Sequence, residues 1–244
     1  MKAIILAAGY ATRLYPLTLN TPKPLLKIGK KKLVEHILSK VETIDEIDVI
    51  YVVTNQKFSA HFERWLKNFK SKKKIKIIND GTQTNEDRLG AIGDIHFVVE
   101  KEKINDDILV VAGDNLFEFP MADFVYFFKE KNASIVGAYD MKAKEKLAKK
   151  YGVVETDESH KIIGFEEKPE FPKTSLAATA CYLFTGNDVQ EVKRCIQEKG
   201  RPDNSGDFMK YLAGKTSVYA YVFDEKWFDI GSFESLREAV EYYV

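Results

Sequence analysis

The chain has 244 residues, and its 37 lysine and arginine side chains are balanced by 37 aspartate and glutamate side chains. A chain of this length suits one large α/β domain with a sizeable core. A net charge near zero excludes the broad positive field of a general nucleic-acid or anionic-membrane binder, so we expect any anion site to be local.

The first half of the chain alternates short apolar runs with segments of helical period. Apolar residues at spacings of three and four predict helices over residues 33–41 and 58–69. The apolar, β-branched runs predict strands buried on both faces, over residues 3–6, 49–53, 75–78, 108–112 and 134–138. This alternation predicts a mostly parallel sheet with helices on both faces.

The second half of the chain has a different pattern, in which short predicted strands are followed by helices. Strands are predicted over residues 153–155, 161–165 and 178–184, and helices near residues 189–198 and 208–212. Because no Pro/Gly/Ser-rich linker separates the halves, we expect one domain over residues 1–244. The predicted fold class is α/β, a Rossmann-like three-layer α/β/α arrangement with a mixed, mostly parallel central sheet.

Two further features bear on the compartment. Cys181 and Cys195 form neither a disulfide framework nor a paired zinc motif, so we expect two core thiols in a reducing environment. The first apolar run, residues 3–8, is too short to cross a membrane, and no segment reaches ~18 consecutive apolar residues. We therefore expect a cytoplasmic protein that binds neither membrane nor nucleic acid.

The loop after the first strand has the residue types of a phosphate-binding loop. Ala7, Ala8 and Gly9 end the strand, and small residues let the backbone approach a ligand closely. Arg13 and Lys23 follow and can bind phosphate oxygens. Neither the Walker pattern nor Gly-x-Gly-x-x-Gly is present, which argues against a P-loop ATPase and a dinucleotide fold. These residues predict a cradle for a triphosphate, with a plain strand and loop as the alternative.

Two aspartates follow apolar segments. Asp114 comes two residues after the predicted strand at residues 108–112. Ligands of α/β sheets lie outside the carboxyl ends of strands. Asp229 lies in a similar apolar setting and is followed by the turn residue Gly231. Two carboxylates with water and phosphate oxygens suit Mg²⁺. From the residues alone, a capping or turn role for each aspartate stays open.

A third polar segment lies at Glu167 and Lys168, in a loop that ends in Pro169. The carboxylate can bind a sugar hydroxyl and the ammonium a phosphate. Read in isolation, the same residues also suit an ordinary surface charge pair.

Taken together and in order, these segments resemble the sugar-1-phosphate nucleotidyltransferase family, which includes the glucose-1-phosphate thymidylyltransferases. The resemblance covers residues 1 to about 235 and implies the nucleotide-diphospho-sugar transferase type of fold. It implies a nucleotide-binding half, residues 1–140, and an acceptor-binding half, residues 141–244, that completes the metal site. The implied substrates are a nucleoside triphosphate, with dTTP or UTP favoured, and a sugar 1-phosphate. Pyrophosphate is the second product, and Mg²⁺ the cofactor.

The resemblance also implies a role for each matching residue. Arg13 and Lys23 are the implied catalytic residues, and Asp114 and Asp229 the implied metal ligands. The implied nucleotide-binding residues are Ala7, Ala8, Gly9, Thr12, Gln83 and Arg88. The implied acceptor-binding residues are Gly152, Glu167, Lys168 and Ala178.

The chain departs from the family pattern in two loops. Ala11 stands where a second glycine is usual, and Ala tolerates positive φ less well than Gly. In the nucleobase region, residues 79–90, Gln83 is available but Arg88 stands where the family has Gly. An arginine there fills space left for the base or makes a new polar contact, so the base is left open.

Two other functions remain open at this point. One is a CTP-dependent cytidylyltransferase acting on a non-sugar phosphate such as choline, inositol or polyol phosphate. The other is a non-catalytic regulatory protein that binds nucleotide sugars. Such a protein typically loses a metal aspartate or a phosphate lysine, whereas both kinds of residue are present here. A homo-oligomer is compatible with all of these hypotheses.

Overall fold

The computed structural model describes residues 1–200 and 204–244. Its strands are β1 (Lys2–Leu6), β2 (Lys27–Ile28), β3 (Lys31–Lys32), β4 (Val49–Thr54), β5 (Lys74–Asn79), β6 (Ile108–Ala112), β7 (Asn115–Phe117), β8 (Ile135–Asp140), β9 (Gly152–Thr156), β10 (Ile162–Glu167), β11 (Leu176–Phe184), β12 (Tyr219–Phe223) and β13 (Trp227–Asp229). Its helices are α1 (Leu33–Val41), α2 (Ser59–Asn68), α3 (Gly90–Glu102), α4 (Met121–Lys131), α5 (Gly186–Lys199), α6 (Ser205–Ala213) and α7 (Phe233–Tyr242). Three short 3₁₀ turns lie at Thr12–Leu14, Lys23–Leu25 and Lys144–Leu147.

A nine-stranded mixed sheet forms the centre of the molecule. Strands β6, β1, β4 and β5 are parallel neighbours in that order. Strand β11 pairs antiparallel with β6 on one side and with β8 on the other, and β12 then pairs parallel with β8. Strands β9 and β10 continue the sheet beside the start of β11. The predicted α/β class with a mixed, mostly parallel sheet is confirmed, and strands from both halves of the chain share this sheet.

Helices cover both faces of the sheet, as the alternating sequence predicts. One core lies between the sheet and α1, α2, α4 and α7, and the other lies between the sheet and α3, α5 and α6. The apolar stripe of α1 is fully buried, which explains why this segment is helical and where it packs. Both cysteines are buried free thiols, as predicted. Within the described part of the chain, every helix is too short or too polar to span a lipid bilayer.

One burial prediction was wrong. Strand β5 was expected to be buried on both faces, but Ile78 is its only buried residue, and Lys74 is exposed. The strand pairs with β4 alone and lies at the edge of the sheet. Lysines alternate with isoleucines along it, and charged side chains are common on edge strands because they discourage pairing with other chains.

The C-terminal helix packs tightly against the β2–β3 turn at Gly29. This residue has φ +60°, and a Cβ there would lie 2.0 Å from the carbonyl oxygen of Tyr243. We expect Gly29→Ala to lower the free energy of unfolding by about 2 kcal/mol or more, because the alanine adds both backbone strain and a clash with main-chain atoms. Urea denaturation of the wild type and the variant measures this loss.

Gly81→Ala is the matched control. Gly81 has φ +84°, but no atom lies within 4 Å of a Cβ placed there. This variant isolates the cost of the backbone conformation, about 1 kcal/mol. An equal loss in the two variants would show that the contact between Gly29 and Tyr243 does not hold the C-terminal helix.

Candidate active site

A large cleft opens at the carboxyl ends of β1 and β6, the central parallel strands. Its volume is about 580 Å³, within the range typical of small-molecule sites. The loop after β1, the turn between β6 and β7, the β9–β11 region and the end of β13 line its walls. Ligands of open α/β sheets bind at this position, so the cleft is the candidate active site.

The loop after β1 is anchored by the neighbouring strand segments. The amide of Ala7 donates to the carbonyl of Val53 at 2.8 Å, and the side-chain amide of Asn55 donates to the carbonyl of Ala8 at 2.8 Å. Gly9 is exposed, and no atom lies within 4 Å of a Cβ placed on it. The loop therefore keeps an open stretch of backbone facing the cleft, as a phosphate-binding loop requires.

Ala11 adopts the conformation that the usual glycine of the family would favour. Its φ is 49° and its ψ is 42°, in the left-handed region. The hydroxyl of Thr18 donates to the carbonyl of Ala11 at 2.7 Å and holds the turn. The loop thus keeps the left-handed turn despite the side chain, at the cost of some backbone strain.

Lys23 links two distant segments of the chain inside the cleft. Its ammonium donates to Asp114 at 2.6 Å and to the carbonyl of Ile230 at 2.7 Å. The Lys23 side chain is only 12 % exposed, which fixes the position of the charge. The side-chain amide of Asn115 also donates to Asp114, at 2.9 Å. One ammonium therefore connects the phosphate-binding loop region with both aspartate segments.

The two predicted metal ligands lie on adjacent segments. Strand β13 pairs with β7, with Asp229 opposite Asn115, and the amide of Ile230 donates to the carbonyl of Asp114 at 3.0 Å. Burial opposes ionisation of Asp114, but the charge and hydrogen bond of Lys23 and the hydrogen bond from Asn115 together lower the pKa of Asp114. Burial and the charge of Asp114 raise the pKa of Asp229.

A divalent cation fits this pair of carboxylates because it would relieve their mutual repulsion. No cluster of three or more His, Cys, Asp or Glu side chains suited to a metal occurs within residues 1–200 and 204–244. A metal at Asp114 and Asp229 would therefore complete its coordination with water and ligand oxygens, which is the usual way proteins hold Mg²⁺.

Arg13 lies beside this cluster. Its guanidinium lies 3.3 Å from the position that a Cβ on Gly231 would occupy, and its charge counteracts the raised pKa of Asp229. Gly231 follows Asp229 closely and leaves room for the guanidinium. Arg13 and Lys23 thus place two cations close to the two carboxylates.

The other end of the cleft is formed around Glu167. A Cβ on Gly152 would lie 3.1 Å from the Glu167 carboxylate, and one on Gly206 would lie 3.2 Å from it and 2.9 Å from the Phe165 ring. Burial raises the pKa of Glu167, despite the nearby Lys168 ammonium. The carboxylate is therefore confined between two glycines, and it faces the cleft.

An aromatic wall completes this end. The rings of Tyr151 and Trp227 lie 5.1 Å apart and both line the cleft. The indole nitrogen of Trp227 donates to Asn115 at 2.8 Å, which ties the wall to the aspartate segment. Aromatic faces beside a carboxylate are suited to a sugar, which combines apolar faces with hydroxyl groups.

The structure brings most predicted site residues to the cleft. Those in its walls are Ala7, Ala8, Gly9, Thr12, Arg13, Lys23, Arg88, Asp114, Gly152, Glu167, Ala178 and Asp229. Lys168 is exposed at the edge, 3.7 Å from Glu167, and does not line the wall. Gln83 is also exposed and outside the wall, and its backbone N–H donates to the Asp87 carboxylate.

The comparison with known families agrees with this geometry. The family model described as Nucleotidyl transferase matches residues 2–244. The chain belongs to the nucleotidyl transferase family. This match, together with the relatives described next, confirms the resemblance to the sugar-1-phosphate nucleotidyltransferases.

Individual members of the family cover nearly the whole chain. A bifunctional protein GlmU of Methanocaldococcus jannaschii is 32% identical over 99% of this chain, which spans 54% of that relative's length. A glucose-1-phosphate thymidylyltransferase of Neisseria meningitidis is 33% identical over 99% of this chain and 82% of its own. A UDP-glucose pyrophosphorylase solved with UDP-glucose has the same fold, with a TM-score of 0.82, 23% identity, and coverage of 99% of this chain and 97% of that one.

Several cleft residues of this family member were missed in the sequence. Tyr151 directly precedes Gly152, and Trp227 lies two residues before Asp229, but nothing in their spacing marks the two aromatic residues as one wall. Asn204, Ser205 and Gly206 line the cleft from the start of α6, where the sequence carries no motif. Their only signal is the N-capping pattern of a helix start.

Proposed function

We propose that the chain is a Mg²⁺-dependent enzyme that transfers a nucleotidyl group from a nucleoside triphosphate to a sugar 1-phosphate and releases pyrophosphate. The observation that carries this proposal is the position of Lys23, which joins the phosphate-binding loop region to Asp114 and to the residue after Asp229. Membership of the family supports it, as do the named activities of the relatives. A cytoplasmic location and exclusively small-molecule partners belong to the same proposal, which is compatible with a homo-oligomer.

The reaction needs little covalent chemistry from the protein. An oxygen of the acceptor's phosphate attacks the α-phosphorus of the triphosphate, and the bond from the α-phosphorus to the pyrophosphate oxygen breaks. The acceptor is already an anion, so no general base is required. The main obstacle is repulsion between two polyanions, which positioning and opposite charge overcome.

The residues of the cleft divide this task. Arg13 binds the β- and γ-phosphates that leave, and Lys23 stabilises the charge that develops at the α-phosphate. Lys168, on its flexible stem at the edge of the cleft, aligns the acceptor phosphate. Asp114 and Asp229 would hold Mg²⁺, and the bound ion would supply Lewis-acid neutralisation of the phosphate charge.

Glu167 is proposed to bind the acceptor's hydroxyl groups. Its carboxylate is confined between Gly152 and Gly206, and it lines the same cleft as the rings of Tyr151 and Trp227. A carboxylate accepts hydrogen bonds from two or more hydroxyls, while the rings pack against the sugar.

The direct test is pyrophosphate release in the presence of Mg²⁺. Five triphosphates, dTTP, UTP, CTP, ATP and GTP, are crossed with a panel of sugar 1-phosphates, choline phosphate and inositol phosphate. Release with a sugar 1-phosphate supports the proposal. If pyrophosphate is released only with CTP and a non-sugar phosphate, the cytidylyltransferase hypothesis replaces this proposal. If nucleotides bind but no pair of substrates releases pyrophosphate, a regulatory protein is favoured.

Gly206→Ala tests the acceptor end. The new methyl group would meet the Phe165 ring at 2.9 Å and the Glu167 carboxylate at 3.2 Å, so one of these groups must move. We expect KM for the sugar 1-phosphate to rise by about 10-fold, the loss of one to two hydrogen bonds, while KM for the triphosphate changes little. Steady-state kinetics with each substrate varied in turn measures both constants.

Gly214→Ala provides the control on the same helix. Gly214 caps α6, has negative φ, and would place a Cβ no closer than 3.5 Å to another atom. We expect unchanged constants for both substrates. Equal rises in both KM values for Gly206→Ala would instead indicate a general disturbance of the fold.

A further inference from the structure

Asn115 lies where the two aspartate segments meet the aromatic wall of the cleft. It directly follows Asp114 and begins strand β7, where it pairs with Asp229 of β13. Asn115 is only 4 % exposed, and it lines the cleft. In an antiparallel pair, its side chain shares one face with those of Asp229 and of Trp227, two residues earlier on β13. The aspartates and the wall therefore meet at this one residue.

Both polar atoms of the Asn115 side chain are hydrogen-bonded to groups of the cleft. The indole N–H of Trp227 donates to Oδ1 of Asn115 at 2.8 Å, and Nδ2 of Asn115 donates to Oδ1 of Asp114 at 2.9 Å. An indole N–H can only donate and an ionised carboxylate can only accept, so these partners fix which way the amide points. The position of the indole therefore helps to set the position of the carboxylate.

The hydrogen bond from Asn115 completes the support of the Asp114 carboxylate. Lys23 donates to Oδ2 of Asp114 at 2.6 Å while Asn115 donates to Oδ1, so each oxygen is held by a different donor. The Asp114 side chain is still 30 % exposed and lines the cleft, which leaves it accessible to a cation. Hydrogen bonds of this kind orient a carboxylate toward the cation that it binds.

Trp227 is itself held in place by the wall. The centroid of its ring lies 5.1 Å from that of Tyr151 and 5.5 Å from that of Tyr139, and its backbone pairs with Phe117. Aromatic packing and strand pairing together therefore bring the indole nitrogen to Asn115. A sugar that packs against the wall would touch this same ring.

We propose that Asn115 is a positioning residue for cation binding by Asp114, and that the indole N–H of Trp227 holds Asn115 in place. The aromatic wall at the acceptor end thereby supports the metal site through a relay of two hydrogen bonds. This inference rests on the proposed function, because it takes Asp114 as a metal ligand. Its consequence is that removal of one N–H from the wall weakens cation binding while every metal ligand is kept.

Trp227→Phe tests the relay, because it removes the indole N–H and keeps an aromatic ring. Manganese binding to the substrate-free protein, followed by electron paramagnetic resonance, gives a dissociation constant for the wild type and for the variant. We expect the variant to bind manganese about 3- to 10-fold more weakly, the usual effect of losing one buried hydrogen bond. Unchanged affinity in the folded variant overturns the proposal, and so does the absence of manganese binding by the wild type.

Trp65→Phe is the matched control. Trp65 lies on α2, outside the cleft wall, and its indole N–H donates to the Glu35 carboxylate at 2.9 Å. This variant loses the same kind of hydrogen bond at a distant place in the fold, so it should bind manganese with wild-type affinity. Equal losses in Trp65→Phe and Trp227→Phe would show that any loosening of the fold weakens the site, and they would overturn the relay.

A double-mutant cycle separates the relay from a local packing effect. Asn115→Ala should weaken manganese binding about 10- to 100-fold, the usual cost of losing a group that orients a metal ligand. Without Asn115 the indole N–H no longer acts on Asp114, so the variant with both changes should bind manganese no more weakly than Asn115→Ala alone. Additive losses would overturn the relay. If Asn115→Ala does not fold, the comparison of Trp227→Phe with Trp65→Phe decides the question.

The outcomes separate this inference from the proposed function, because manganese binding is measured without substrates. Weaker manganese binding by Trp227→Phe, with no pyrophosphate release by the wild type for any pair of substrates, supports the inference and removes the proposed function. Pyrophosphate release by the wild type, with unchanged manganese affinity in Trp227→Phe, keeps the proposed function and overturns the inference.

Discussion

Lys23→Ala is expected to lower kcat by about 100-fold or more, in line with the loss of one preorganised charge contact in an active site. The ammonium holds Asp114 at 2.6 Å and the Ile230 carbonyl at 2.7 Å, and it is nearly buried. A triphosphate entering the cleft would meet this charge in a fixed position, where no reorganisation is needed. Steady-state kinetics at saturating substrates measures the effect.

Two features make this result diagnostic. Lys31→Ala removes an exposed lysine from strand β3, away from the cleft wall, and should leave kcat unchanged. A thermal melt of each variant excludes unfolding, because loss of the Lys23 ammonium leaves Asp114 without its closest cation. If folded Lys23→Ala kept near-full activity, Lys23 would be a structural residue and not a catalytic one.

Asp114→Asn is expected to produce a loss of similar or larger size, about 100-fold or more. The amide keeps the shape of the side chain but removes the negative charge that, with Asp229, would hold Mg²⁺. Because a neutral amide is a weaker ligand for a hard cation, more Mg²⁺ should be needed for half-maximal rate. Manganese binding, followed by electron paramagnetic resonance, measures the site without turnover.

Asp45→Asn is the matched control, since Asp45 is exposed in the turn between α1 and β4. It should change neither the rate nor the manganese affinity. Unchanged manganese affinity in Asp114→Asn would contradict the assignment of Asp114 as a metal ligand, whatever the effect on rate.

Periodicity predicted most of the framework because it depends on local sequence. The stripe from Leu33 to Val41 gave the bounds of α1, and the run at 108–112 gave those of β6. The burial of β5 was misjudged because a strand's position in the sheet depends on pairing partners distant in sequence. The isoleucines of β5 suggested a central strand, while its alternating lysines were the signal of an edge.

The site residues that belong to a family motif could be predicted from the sequence, whereas the other residues of the cleft could not. Asp114 and Asp229 are 115 residues apart, and the expectation that they meet came from the family resemblance alone. The pairing of β7 with β13 supplies the physical reason. Gly206 could not be found this way, because its importance comes from contacts with Phe165 and Glu167 across the fold and not from neighbours in sequence.

The most direct measurement of the central claim follows the phosphorus atoms of the triphosphate. The protein is incubated with Mg²⁺, a sugar 1-phosphate and a triphosphate labelled with ³²P at either the α or the γ position. Transfer of a nucleotidyl group predicts that the α label enters the nucleotide sugar and that the γ label leaves in pyrophosphate. Label from the γ position in the sugar product, or free nucleoside diphosphate and phosphate in place of pyrophosphate, would contradict the account.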